Sequence, residues 1–283
     1  MEGSRDYELF ELGDIQLQMG MTLRGAFLAY KTYGELNVDK SNAIVYPTWY
    51  SGRHTDNKWL IGEGMALDPS RYFIIVPNML GNGLSSSPSN VAPPYDRARF
   101  PQVTFWDQVQ QHRLVTEKFG IETLPLVTGW SMGAGQTYQW CVSFPEMVQR
   151  ACPFCGSSKT SEHNIVFLEG VKAALSADDA FKGGWYGELT EVSKGLRAAS
   201  RAGTEPSSGP GPRFAAFSIA SSSSATRSWP QCTRMCYGRD GFTKGLRPCS
   251  ARTDSTAAAG KPFDMSRSHW SDESSTITGR CWC

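Results

Sequence analysis

The chain has 283 residues, enough for one α/β domain with a lid or for two small domains. Lys and Arg (28) nearly balance Asp and Glu (27), and the net charge of +1 leaves no electrostatic footprint for nucleic acid or an acidic membrane surface. No apolar run approaches the roughly 18 residues that a spanning helix needs, and the start, Met1–Glu8, lacks the basic and apolar stretches of a signal peptide. A cytoplasmic location is expected, with the cysteines mostly reduced.

The first elements read as an antiparallel pair, Tyr7–Leu17 and Thr22–Tyr33, with rough alternation and Gly13 and Gly20 as punctuation. Residues 42–46 form a short strand of the buried type. A helix is expected over 57–67, closed by Asp68-Pro69. Residues 72–76 run almost continuously apolar, as strands covered on both faces do. A long loop, 77–103, carries Gly81, Gly83 and the serines Ser85, Ser86 and Ser87. Thr104-Phe105-Trp106-Asp107 resembles a capping box and opens a helix that runs to Phe119 and stops at Gly120. Then follow a strand at 124–128, a helix at 132–143 ended by Pro145, a strand at 149–155 and a helix at 162–175. Single strands alternating with helices predict an α/β fold, a mostly parallel sheet with helices on both faces.

Composition changes near residue 198. Residues 1–196 hold 37 Ile, Leu or Val, whereas residues 197–283 hold three, beside 16 Ser and 10 Arg. So few branched aliphatics cannot bury enough apolar surface to offset the entropy of ordering. The expectation is a core over 7–198 and a tail over 199–283 that is either a natural disordered extension or an out-of-frame translation. The C-terminal part of the fold would then be truncated or disordered.

The chemistry centres on Gly129-Trp130-Ser131-Met132-Gly133, a G-x-S-x-G between an expected strand and an expected helix. There the small residues permit a sharp, strained turn that lifts the serine hydroxyl clear of the backbone. Ser131 is the candidate nucleophile. A serine hydroxyl needs a base and backbone N–H donors for the oxyanion. The N–H of Met132 at the helix start suits one donor; the second is expected from Thr48 or Trp49, in the loop after the 42–46 strand.

The ordered segments Tyr30–Asn37, Tyr46–Gly52, Asn78–Gly83, Phe105–Val109, the serine turn and Gly156–Ser161 resemble the homoserine O-acetyltransferase-like branch of the α/β-hydrolases, over about residues 7–198. The resemblance implies that Ser131 takes an acyl group and passes it to an alcohol or to water. The expected partner is a small acyl ester or thioester. No resident cofactor is implied, and acetyl-CoA or another acyl-CoA is admitted as a co-substrate. Members include acetyltransferases of amino-acid metabolism and hydrolases, some of them in fungal specialised-metabolite pathways. Tyr46-Pro47-Thr48-Trp49 departs from the His-Ala-Leu-Thr run of true homoserine acetyltransferases. The rival reading is a catalytically dead form that binds an acyl ligand or a partner.

Four histidines are candidate bases. His54 follows the oxyanion loop, and sits at the pocket mouth or in solvent. His112 lies within a helix, on its surface or in the core, and His163 begins a helix. In this architecture the base comes late in the chain, after the acid. Only His269 is late; Asp240, Asp254 or Asp264 could precede it, but its aliphatic-poor surroundings give no strand to hold it. Cys152-Pro153-Phe154-Cys155 lacks the second pair a zinc site needs and is expected at a buried strand end. Trp49, Tyr50, Trp59, Trp106, Trp130 and Trp140 either line an acyl pocket or fill the core.

Overall fold

The computed structural model describes residues 5–202 except 51, 189 and 190. The expectations for His269, for its acidic partners and for the tail beyond Ala202 lie outside the described residues.

β1 (Glu8–Gln16) and β2 (Thr22–Tyr33) form the expected antiparallel pair, with register shifts around Gly13. β3 (Ala43–Val45), β4 (Phe73–Pro77), β5 (Leu126–Trp130) and β6 (Ala151–Phe154) complete a six-stranded sheet in the order β1-β2-β4-β3-β5-β6. β2 is antiparallel to β4, and β4, β3, β5 and β6 run parallel. From β3 the chain crosses to β4 on one side, whereas β5 lies on the other. This reversal opens a crevice beyond the carboxyl ends of β3 and β5, where open α/β sheets place their ligands.

Side-chain alternation divides the sheet into two faces. Phe73 meets the ring of Phe119, at the end of α1 (Phe105–Lys118), edge-on at 5.1 Å. α2 (Met132–Ser143) packs on α1, β5 and β6. On the opposite face Ile44, Tyr46, Ile74 and Val76 form one cluster with Leu60, Ile61 and Leu67. That cover is not the helix expected over 57–67. A single 3-10 turn (His54–Asn57) leads into a chain of turns closed by a bridge between Ile61 and Leu67. Gly64 and Asp68 explain the difference: Gly64 takes φ +73°, and its N–H donates to the Asp68 carboxylate, which also accepts from Ser70 N. A helix interior disfavours glycine by about 1 kcal/mol, and Asp68 offers the backbone another partner.

The capping box at α1 is present. Thr104 Oγ1 accepts from Asp107 N, and Asp107 accepts from Thr104 N at 2.7 Å. The same side chain accepts from Gln18 N at 2.7 Å, which ties the helix start to the β1–β2 turn. Burial nevertheless pushes the Asp107 carboxyl above its ordinary range. Further along, His112 is a core residue, and neither ring nitrogen has a hydrogen-bond partner among the described residues. Burial alone lowers its pKa from 6.5 to about 3. The unfolded chain therefore binds a proton below pH 6.5 that the folded chain refuses until about pH 3. Stability from this group is complete above pH 6.5 and is lost as pH falls, by up to about 1.4 kcal/mol per pH unit. Urea midpoints at pH 7 and pH 4.5 should converge in His112→Leu relative to the parent; an unchanged difference would refute this assignment.

Beyond β6, α3 (Glu162–Ser176) and α4 (Ser193–Ala202) pack together with the 3-10 element Asp179–Gly184. Val171, Leu175, Phe181, Tyr186, Val192 and Leu196 make a second, separate core. α4 has no counterpart among the expected elements, and it runs through residue 198, where the composition changes. No helix among the described residues is long and apolar enough to cross a membrane.

Candidate active site

Ser131 stands between β5 and α2 with φ 54°, ψ −115°, a backbone conformation that L-residues rarely adopt. Its N–H donates to Phe154 O at 3.1 Å, which pins the turn to β6, and its carbonyl accepts from Ala134 N at 3.0 Å to begin α2. The flanking glycines are required by close approach. A Cβ on Gly129 would lie 2.4 Å from Gly133 O, and one on Gly133 would lie 2.5 Å from Pro47 O. A Cβ on Gly156 would lie 2.6 Å from Ser131 O. Strand, turn, helix and the loop after β3 thus converge within contact distance.

Ser131 and Met132 are half-buried and line a cavity of about 580 Å³. The N–H groups of Met132 and Gly133, which open α2 ahead of the bond from Ala134, have no helix carbonyl to donate to, and the positive end of the helix dipole faces the same space. Tyr50 and Phe105 contribute aromatic wall, and Asn164, Phe167, Leu168 and Val171 of α3 close the other side. Those four stand at i, i+3, i+4 and i+7, one stripe of a helix. No described lining residue is charged.

Of the proposed oxyanion donors, Thr48 is buried: its hydroxyl accepts from Met79 N and donates to Pro77 O, and its carbonyl accepts from Gln136 Nε2 at 2.8 Å. Trp49 is half-buried, its ring edge-on to Trp130 at 4.9 Å between centroids. Trp130 also meets Trp59, which meets Phe154. Of the six aromatic residues expected at an acyl pocket or in the core, Tyr50 alone lines the cavity. Trp140 is fully buried, and Trp59 is mostly exposed.

The cavity brings no described imidazole or carboxylate to Ser131. His54 occupies neither of its expected settings. It is 2% exposed, with its ring between Asn78 and Asp6: Nδ1 is 3.1 Å from Asn78 Nδ2 and Nε2 is 3.2 Å from Asp6 Oδ1. Its backbone N–H donates to the same asparagine. His163 is exposed on α3 and outside the cavity lining. Cys152 and Cys155 are exposed, not at a buried strand end, because β6 is the outermost strand of the described sheet. Cys155 reaches the cavity.

The sequence profile of the α/β hydrolase fold matches residues 53–212. The chain belongs to the α/β hydrolase family. Among relatives of this α/β hydrolase, an ethyl acetate hydrolase of Pseudomonas veronii is 46% identical over 197 residues, covering 69% of this chain and 56% of that protein. A homoserine O-acetyltransferase of Methanococcoides burtonii is 37% identical over 204 residues, covering 66% and 42%. The solved structure of an acetylester hydrolase from Corynebacterium glutamicum superposes with a TM-score of 0.67 at 46% identity, covering 69% of this chain and 57% of that one. The resemblance to homoserine O-acetyltransferases is therefore borne out, and esterases match at higher identity. The chain spans about half the length of the relatives it matches.

Proposed function

We propose that this α/β hydrolase carries a serine-dependent acyl-transfer site that cleaves small uncharged esters, with Ser131 as nucleophile. The observation that carries this reading is the strained backbone of Ser131 at the head of α2, opening into a cavity whose described lining is uncharged. Ser131 Oγ attacks the ester carbonyl and gives its proton to a base. The N–H of Met132 and a second N–H from the Thr48–Trp49 loop hold the oxyanion, the alcohol leaves with a proton, and water releases the acyl group. No described imidazole lines the cavity, and the candidate base named from the sequence, His269, lies outside the described residues.

Hydrolysis is favoured over transfer to an acceptor alcohol by two observations. The esterase relative is more similar than the acetyltransferase. The described lining holds no charged residue to pair with an amino-acid carboxylate. An acyl-CoA thioester remains a second donor class in this proposal, distinguished by free thiol release.

The test is covalent labelling. The purified chain should release p-nitrophenol from p-nitrophenyl acetate, and a fluorophosphonate probe should add once, at Ser131, in peptide mass spectra. Absence of both adduct and release would overturn the proposal.

A further inference from the structure

Five residues after Ser131, on α2 and outside the cavity lining, Gln136 is fully buried. Its Nε2 donates to Thr48 O at 2.8 Å and reaches Met79 Sδ at 3.0 Å and Met132 O at 3.3 Å. All three neighbours are acceptors, so the amide nitrogen, not the oxygen, belongs there. Its Oε1 is buried with no hydrogen-bond partner among the described residues. A position needed only to fill space would be served better by Leu or Met, because half of this amide is desolvated without return. What the amide does secure is the carbonyl of the Thr48–Trp49 peptide. In a trans peptide the C=O and N–H point to opposite sides of one rigid plane. Holding Thr48 O against α2 therefore fixes the direction of the Trp49 N–H.

We propose that Gln136 is a positioning residue: its side-chain amide clamps the Thr48–Trp49 peptide and so sets the direction of the Trp49 N–H, a candidate second oxyanion donor beside Met132. The inference rests on the reading of Ser131 as nucleophile for its effect on rate, but not for the clamp itself. Thr48 is held twice more, through its hydroxyl, by Pro77 O and Met79 N. Those bonds anchor the side chain and leave the next peptide free to rotate about the Thr48 backbone. The amide of Gln136 restrains that rotation from the α2 side.

Two variants of the full chain test it. Gln136→Met keeps the volume and removes the donor. It should lower kcat on p-nitrophenyl acetate about 100-fold, the scale of one oxyanion donor, with KM within about twofold of the parent. The amide of Gly52, which donates to Trp49 O, should lose protection from hydrogen exchange, while amides of β4 and β5 keep theirs. Gln136→Glu keeps the shape. Its buried carboxyl, while protonated, donates O–H to Thr48 O, so the variant should approach parental kcat at low pH and lose it as pH rises and the carboxylate forms. The parent amide does not titrate, so the variant-to-parent ratio should fall with pH; should the Met variant not fold, this ratio alone decides.

The outcomes separate. If the parent turns over and both variants match it with Gly52 still protected, the clamp is refuted and Ser131 stands. If the parent does not turn over but Gly52 exchanges faster in the Met variant, the serine reading falls and the clamp stands. A ratio for the Glu variant that stays low at every pH, or that rises with pH, also refutes the clamp.

Discussion

Ser131→Gly should raise the melting temperature and remove acyl transfer together. At φ 54°, ψ −115° the serine backbone holds strain of about 1–3 kcal/mol. Glycine relieves it at an entropic cost of about 0.5–1 kcal/mol. The balance is a gain of about 1 kcal/mol, or roughly 2–4 °C for a folded region of this size. Activity on p-nitrophenyl acetate should fall at least about 1000-fold, because no other group on the turn can form the acyl bond. Ser131→Ala is the control: it loses the hydroxyl but keeps a Cβ, so it should lose activity without the thermal gain. Equal melting temperatures for the two variants would show that the turn is not strained.

The largest loss of stability is expected at Gly34, far from the serine. This residue follows β2 with φ +76°, and a Cβ there would lie 2.1 Å from Tyr72 O and 2.4 Å from Pro69 O. Both obstacles are backbone atoms, so no side chain can swing aside. Gly34→Ala combines the left-handed penalty of about 1–2 kcal/mol with an overpacking cost of about 1–3 kcal/mol. A total of about 3–4 kcal/mol should lower the melting temperature by roughly 10 °C. Gly13 provides the comparison, since it has φ +67° and nothing within 4 Å of an added Cβ. Gly13→Ala should show only the conformational penalty, and similar losses at the two sites would contradict the steric argument.

Local signals account for most of what is legible in the sequence. The run Phe73–Val76 is apolar because both its faces are covered, and the Thr104–Asp107 cap marks the start of α1 to the residue. The serine turn is legible because its glycines answer steric needs that recur wherever a strand meets a helix this tightly. The second face of the sheet is harder to read, since Leu60, Ile61 and Leu67 supply a helix-like apolar count while Gly62 and Gly64 turn the chain. His54 and Gln136 carry no spacing signal at all. Their roles come from partners 24 and 88 residues away, Asn78 and Thr48, which only the folded sheet brings near. The α3 stripe is visible as an amphipathic period, but nothing in its sequence says that it faces a cavity rather than a core.

That stripe hangs on a core of its own. Val171 and Leu175 anchor α3 to Phe181, Tyr186, Val192 and Leu196, while the sheet keeps its own apolar cluster. On the proposed function, substitutions at Phe167 and Leu168 should therefore change which acyl groups are admitted without disturbing the turn at Ser131. On that reading, acyl selectivity would then reside in a different part of the chain from the reactive turn.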